Sequence, residues 1–203
     1  MNHRSSVRPI VPRVVAALAL LLVFGGCAGR DFARPPADAF TLGKTTEADI
    51  RQKFGDPYRQ GTTVRSGETM KTLSYAYAAG AGALAGGITP ARGLGFYFWN
   101  DVLVGHEFVS SFEEDKTDFD GTKAQQIRRG ETTESGVTTL LGPQQGAYVY
   151  PMVADKTGRG LVYMYAQTKG SAFSLKFYQQ LLVVTIGSTG VVSDVQLTSQ
   201  GER

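Results

Sequence analysis

Two histidines and one cysteine are all the imidazole and thiol chemistry that this 203-residue chain can offer. His3 and Cys27 fall within and at the end of an N-terminal stretch that reads as a targeting segment, which leaves His106 alone on a segment that reads as a strand. No His/Cys metal site can then be assembled within one chain. A Ser-His-Asp triad would need its serine on a Gly-x-Ser-x-Gly turn, and the sequence has none. His106 therefore reads as an ordinary strand residue. The run Gly80-Ala81-Gly82-Ala83-Leu84-Ala85-Gly86 is glycine-rich like a phosphate cradle. It lacks a Gly-Lys-Ser/Thr ending, and Pro90 follows where a helix should begin, so Gly80 to Gly93 reads as a loop. Asp118, Asp120 and Gly121 would fill positions three, five and six of a calcium loop, but Lys116 and Ile127 would occupy positions one and twelve. With Glu113, Glu114 and Asp115 they read as a solvated acidic connector. No catalytic, cofactor-binding or metal-binding residue is assigned.

What remains is binding chemistry, carried by aromatic side chains. In Phe96-Tyr97-Phe98-Trp99 successive side chains of a strand point to opposite faces, so Tyr97 and Trp99 cannot pack where Phe96 and Phe98 pack. An aromatic face left over in this way is either covered by another part of the chain or open to a partner. Trp99, Tyr97, Tyr75, Tyr77, Tyr163 and Tyr165 are the candidate partner-binding residues.

The elements that must position these residues come from an internal repeat. Gly43-Lys44-Thr45-Thr46-Glu47-Ala48-Asp49-Ile50, running on to Phe54-Gly55-Asp56-Pro57, returns 87 residues later as Gly130-Glu131-Thr132-Thr133-Glu134-Ser135-Gly136-Val137, running on to Leu141-Gly142-Pro143. In each copy a threonine can cap a helix start with a glutamate just inside it. Ile50 with Phe54, and Val137 with Leu141, share one helix face. Gly55 and Gly142 end the helices, and Gly43 and Gly130 bend the chain from a shorter helix before each. Downstream, Leu73 to Ala78 matches Leu161 to Ala166 as a tyrosine-bearing strand. A hairpin follows over Phe96 to Phe108, turning at Asn100-Asp101. In the second copy come a helical Lys123 to Arg129, a Thr168-Lys169-Gly170 turn, a long strand Ala172 to Ile186 and a last strand Val191 to Leu197. The expected fold is α+β: two tandem ααβββ units, each with two short helices packed on a three-stranded antiparallel sheet. Residues 40–115 form the first and 116–203 the second.

The N-terminus addresses the chain. Arg4, Arg8 and Arg13 precede an uninterrupted apolar run, Val14 to Phe24, which suits a signal peptide and is too short to cross a bilayer. Gly25-Gly26-Cys27 at its end resembles the bacterial lipobox, although Phe24 stands where leucine is usual. That resemblance implies removal of residues 1–26, acylation of Cys27, and a short stiff tether over 27–39 containing Pro35-Pro36. Ala28 rather than aspartate after the cysteine points, by resemblance to bacterial sorting rules, to the periplasmic face of the outer membrane. The full chain has 21 basic and 18 acidic residues; losing the three N-terminal arginines leaves 18 against 18, so the sequence pI near 9.0 gives no support for nucleic-acid binding.

The repeated Gly-x-Thr-Thr-Glu-x-x-Ile/Val pattern, its Phe/Leu-Gly-(x)-Pro ending and the strand-turn-strand Leu182 to Val192 are similar to the SmpA/OmlA or BamE-like outer-membrane lipoproteins, whose domain is ααβββ. The chain departs from that family in being duplicated, and a tandem pair resembles the arrangement of the β-lactamase inhibitory protein. The first resemblance implies protein binding without catalysis or cofactor, in envelope or β-barrel outer-membrane protein assembly, with the barrel-assembly machinery as a partner. The alternative is a tandem-sheet inhibitor or regulator of an envelope hydrolase.

Overall fold

A computed structural model describes residues 29–79, 87–171 and 174–203. The signal peptide, Cys27 and the Gly80–Gly86 run lie outside them. Among the described residues two α-helices, α1 (Glu47–Phe54) and α2 (Glu134–Leu141), and one 3₁₀ helix (Gly121–Gln126) accompany nine strands. These are β1 (Arg59–Arg65), β2 (Glu68–Ala78), β3 (Ile88–Thr89), β4 (Ala91–Trp99), β5 (Val102–Ser110), β6 (Gly146–Tyr148), β7 (Arg159–Ser171), β8 (Ser174–Ile186) and β9 (Val192–Gly201). The strands form one antiparallel sheet in the order β1-β2-β4-β5-β6-β7-β8-β9, with β3 paired to β7.

The expected pair of ααβββ units is therefore incorrect. The halves do not own separate three-stranded sheets, because β5 pairs with β6 through Gly105–Tyr148, His106–Ala147 and Glu107–Gly146 and makes the sheet continuous. Each half brings one α-helix. The shorter helix expected before α1 is only a turn, and the one expected at Lys123 to Arg129 is the 3₁₀ helix. Three unforeseen strands, β1, β3 and β6, complete the sheet. β1 is polar and exposed along an edge, and β6 is three residues long, so neither carries the apolar alternation that announces a strand. Two smaller corrections follow. Thr168-Lys169-Gly170 continues β7 instead of turning, and the expected loop up to Gly93 yields to β3 and β4.

The repeat nonetheless has a physical counterpart in hydrogen bonding. The amides of Thr41 and Arg128 donate to the hydroxyls of Thr45 and Thr132. Gly43 and Gly130 donate to the carbonyls of Leu103 and Val192, whose own amides donate back to Thr45 and Thr132, all four bonds at 2.8 Å. Thr46 and Thr133 cap their helices, and the Tyr75 and Tyr163 hydroxyls bond to the carbonyls of the terminating glycines, Gly55 and Gly142. The caps differ because Asp49 closes a reciprocal capping box in the first copy, whereas Gly136 in the second has no side chain to do so.

Each helix buries one aliphatic residue against its half of the sheet: Ile50 among Leu73, Phe96 and Leu103, and Val137 among Leu161, Tyr163 and Leu182. Cross-strand register joins the two clusters on one face, along the row Leu73–Phe96–His106–Ala147–Leu161–Val184. A smaller cluster on the opposite face holds Tyr148, Val153 and Val162, with Tyr97, Met152, Leu181 and Val183 against them. Ile50→Ala should cost about 2–5 kcal/mol in urea unfolding, because it empties a fully buried contact between helix and sheet. Val64→Ala, on an exposed edge, should stay within about 0.5 kcal/mol, and equal losses at the two sites would show that α1 does not carry this half.

Candidate functional site

On the face away from the helices, register sets glycine beside bulk. One cross-strand row runs Ser74–Gly95–Glu107–Gly146–Val162–Val183 and the next runs Thr72–Tyr97–Gly105–Tyr148–Gly160. Glu107 thus has glycine as its direct neighbour on both adjoining strands. A methyl group at Gly95 would come within 2.8 Å of its carboxylate, and one at Gly146 within 2.7 Å of its Cα. At Gly105 the same addition would meet the Tyr148 ring at 2.8 Å. Missing side chains on this face let the large ones lie across the strands, and the sheet curls around them.

The result is a groove of about 480 Å³ lined by both outer edges of the sheet, with Thr63 and Arg65 from β1 facing Gln196 and Thr198 from β9. Its floor holds Glu107. The Tyr97 hydroxyl donates to Glu107 Oε1 at 2.7 Å, and the Tyr148 hydroxyl donates to Oε2. Burial pushes the Glu107 carboxyl up to about 7, against the Tyr97 hydrogen bond and the charge of Arg65, which pull it down. Burial and the neighbouring carboxylate raise the Tyr97 phenol as well, so it remains a donor. Met152, Met164, Leu181 and Val183 supply the apolar wall, and Gln179 and Gln196 supply amides.

The six aromatic residues singled out by sequence separate by face. Tyr97 and Trp99 lie on the groove side and are half-buried. The Trp99 indole donates to Glu68 at 3.2 Å and meets the Tyr150 ring edge-on at 5.6 Å. Tyr75, Tyr163 and Tyr165 are 6%, 0% and 1% exposed under the helices, so they are core residues, not contact residues. Burial pushes the Tyr163 phenol up to about 12. Tyr77 is half-buried on that same face, stacked on Phe112. Glu107 and Tyr148 were missed by sequence. The signal that could have exposed Glu107 is a charged residue between Gly105 and Phe108 in a strand whose neighbours are rich in glycine.

His106, beside Glu107 but on the helix face, sits 5.2 Å from the Phe40 ring. Burial lowers its pKa to about 4, so it is neutral and uncharged near pH 7. Among the described residues no group of His, Cys, Asp and Glu side chains could hold a metal ion. No helix among them is long and apolar enough to cross a membrane. The acidic connector is partly a clamp: Arg92, with its side chain 9% exposed, pairs with Asp115 at 2.8 Å, Asp31 at 2.9 Å and Glu114.

The fold and this face define an open, antiparallel half-barrel with a polar-floored groove. No protein-family model matches the chain, and no curated protein does, so the BamE-like resemblance gains no support there. Among solved structures it is similar to a candidate β-lactamase inhibitor protein from Streptococcus mutans, at 12% identity and a TM-score of 0.39 over 79% of this chain and 91% of that one. A likeness so slight carries no argument about fold detail or function.

The two buried titrations oppose each other. Glu107, raised from 4.5 to about 7 in the fold, favours the folded state at low pH and loses that contribution as pH rises through 7. His106, lowered from 6.5 to about 4, favours the folded state above 6.5 and loses that contribution as pH falls toward 4. Urea midpoints at pH 8 and pH 5 should show Glu107→Gln losing more stability on acidification than the parent, and His106→Gln losing less. Unchanged slopes in both variants would mean that neither group is desolvated as described.

Proposed function

We propose that this chain is an envelope lipoprotein, acylated at Cys27 and held at the periplasmic face of the outer membrane, whose groove binds another envelope protein. The observation that carries the binding reading is the groove itself. A hydrogen-bonded carboxylate and two tyrosines form its floor, methionine and aliphatic side chains line it, and two unpaired sheet edges bound it. Strand edges offer main-chain hydrogen bonds to an extended segment, and rigid aromatic groups concentrate binding energy. The process this reading places it in is outer-membrane β-barrel assembly or envelope integrity. The other reading, a regulator that seats a protruding part of an envelope hydrolase in the groove, uses the same surface.

Photo-crosslinking amino acids at Tyr97, Gln179 and Gln196 should form adducts with a defined envelope protein in cells, and Glu107→Lys should abolish them while leaving the fold cooperative. Adducts with barrel-assembly components support the first reading, and a stoichiometric hydrolase supports the second. If crosslinks arise only from positions on the helix face, such as Thr138, the groove is not the binding surface.

A further inference from the structure

The segment expected to be a short stiff tether is packed on the fold from Gly29 onward. Gly29 lies so close to β2 that a methyl group on it would meet the Ala76 carbonyl oxygen at 1.9 Å. It sits beyond the end of β1, whose pairing with β2 stops at Arg59–Ser74. Two residues on, Asp31 is fixed by Arg92, and Phe32 packs against the core that contains Leu73 and Phe96. Arg34 then reaches the Gln144 carbonyl and lies over the Phe108 ring at 5.5 Å. Only Ala28 separates Cys27 from the seated Gly29. At most about 7 Å of chain therefore joins the two Cα atoms.

We propose that the patch around Gly29, made of Arg30, Lys53 and Tyr58, is a membrane-contact face that rests on the phospholipid surface into which Cys27 is anchored. This rests on the acylation reading above. The patch suits that surface chemically. Tyr58 is 66% exposed, and a tyrosine's apolar ring with a polar tip fits the headgroup region. Arg30 and Lys53 are exposed and have no carboxylate partner among the described residues, whereas the nearby acids Asp31 and Asp56 are paired to Arg92 and Arg51. Cations left in excess beside a lipid anchor complement anionic headgroups, and each adds to the pull of the acyl chains. Leu197, exposed on the other edge strand β9 and absent from the lining around Gly29, gives a reference position.

The test uses full-length, acylated protein reconstituted in vesicles of phosphatidylethanolamine and phosphatidylglycerol, with a nitroxide at Tyr58→Cys or, as reference, at Leu197→Cys. The Tyr58 label should lose relaxation by a water-soluble nickel chelate and gain relaxation by oxygen, while the Leu197 label stays fully exposed to the chelate. Replacing Arg30 and Lys53 together by glutamine should leave the protein vesicle-bound but restore the chelate's access at position 58. Vesicle-bound, acylated protein with both labels equally exposed overturns the orientation alone. Protein that carries no acyl mass at Cys27 overturns the anchoring, and this orientation with it.

Discussion

Curvature in this protein depends on an alternation of glycine with bulk across one face of a sheet. Where Gly95 and Gly146 flank Glu107, and Gly105 and Gly160 flank Tyr148, the large side chains fold over their neighbours instead of standing upright between them. Side chains on every strand of that face would hold the sheet flatter, since interiors are close-packed and each added methyl must find its own volume. The helix face has the complementary pattern, with Phe96, Leu161, Tyr163 and Leu182 spreading the strands over α1 and α2. One face is thus filled and the other hollowed, and the groove follows.

Local signals were legible in the sequence; their assembly was not. The capped helices, the Asn100–Asp101 turn with positive φ at both residues, and the opposition of Phe96 and Phe98 to Tyr97 and Trp99 were all readable from spacing and residue type. The union of two halves into one sheet was not. It depends on β6, where Gly146, Ala147 and Tyr148 present no apolar run and gain their conformation from the strands on either side. Long-range pairing of that kind leaves no periodicity to read. Tyr75 and Tyr163, which recur at the same place in each copy, are core residues whose hydroxyls bond to helix-terminating carbonyls, so packing alone accounts for their recurrence.

Charge is likewise organised by tertiary structure more than by sequence neighbourhood. Glu113 to Asp120 looks like a solvated acidic stretch, yet Asp115 is largely covered and Arg92 draws it together with Asp31, 84 residues earlier. Arg203 at the far end of the chain pairs with Asp118. All three carboxylate partners of Arg92 come from segments flanking the first half, which ties the N-terminal segment and the inter-repeat connection to the same strand. Stacking of the Arg92 guanidinium 4.2 Å above the Phe112 ring gives the cluster an apolar floor.

Glu107 belongs to the first copy of the repeat, and its two hydroxyl donors come from different copies, Tyr97 from the first and Tyr148 from the second. Neither half alone holds both phenols, so the carboxylate is satisfied only where the halves meet: a chain cut between β5 and β6 would leave the acid with one donor, on a bare strand edge.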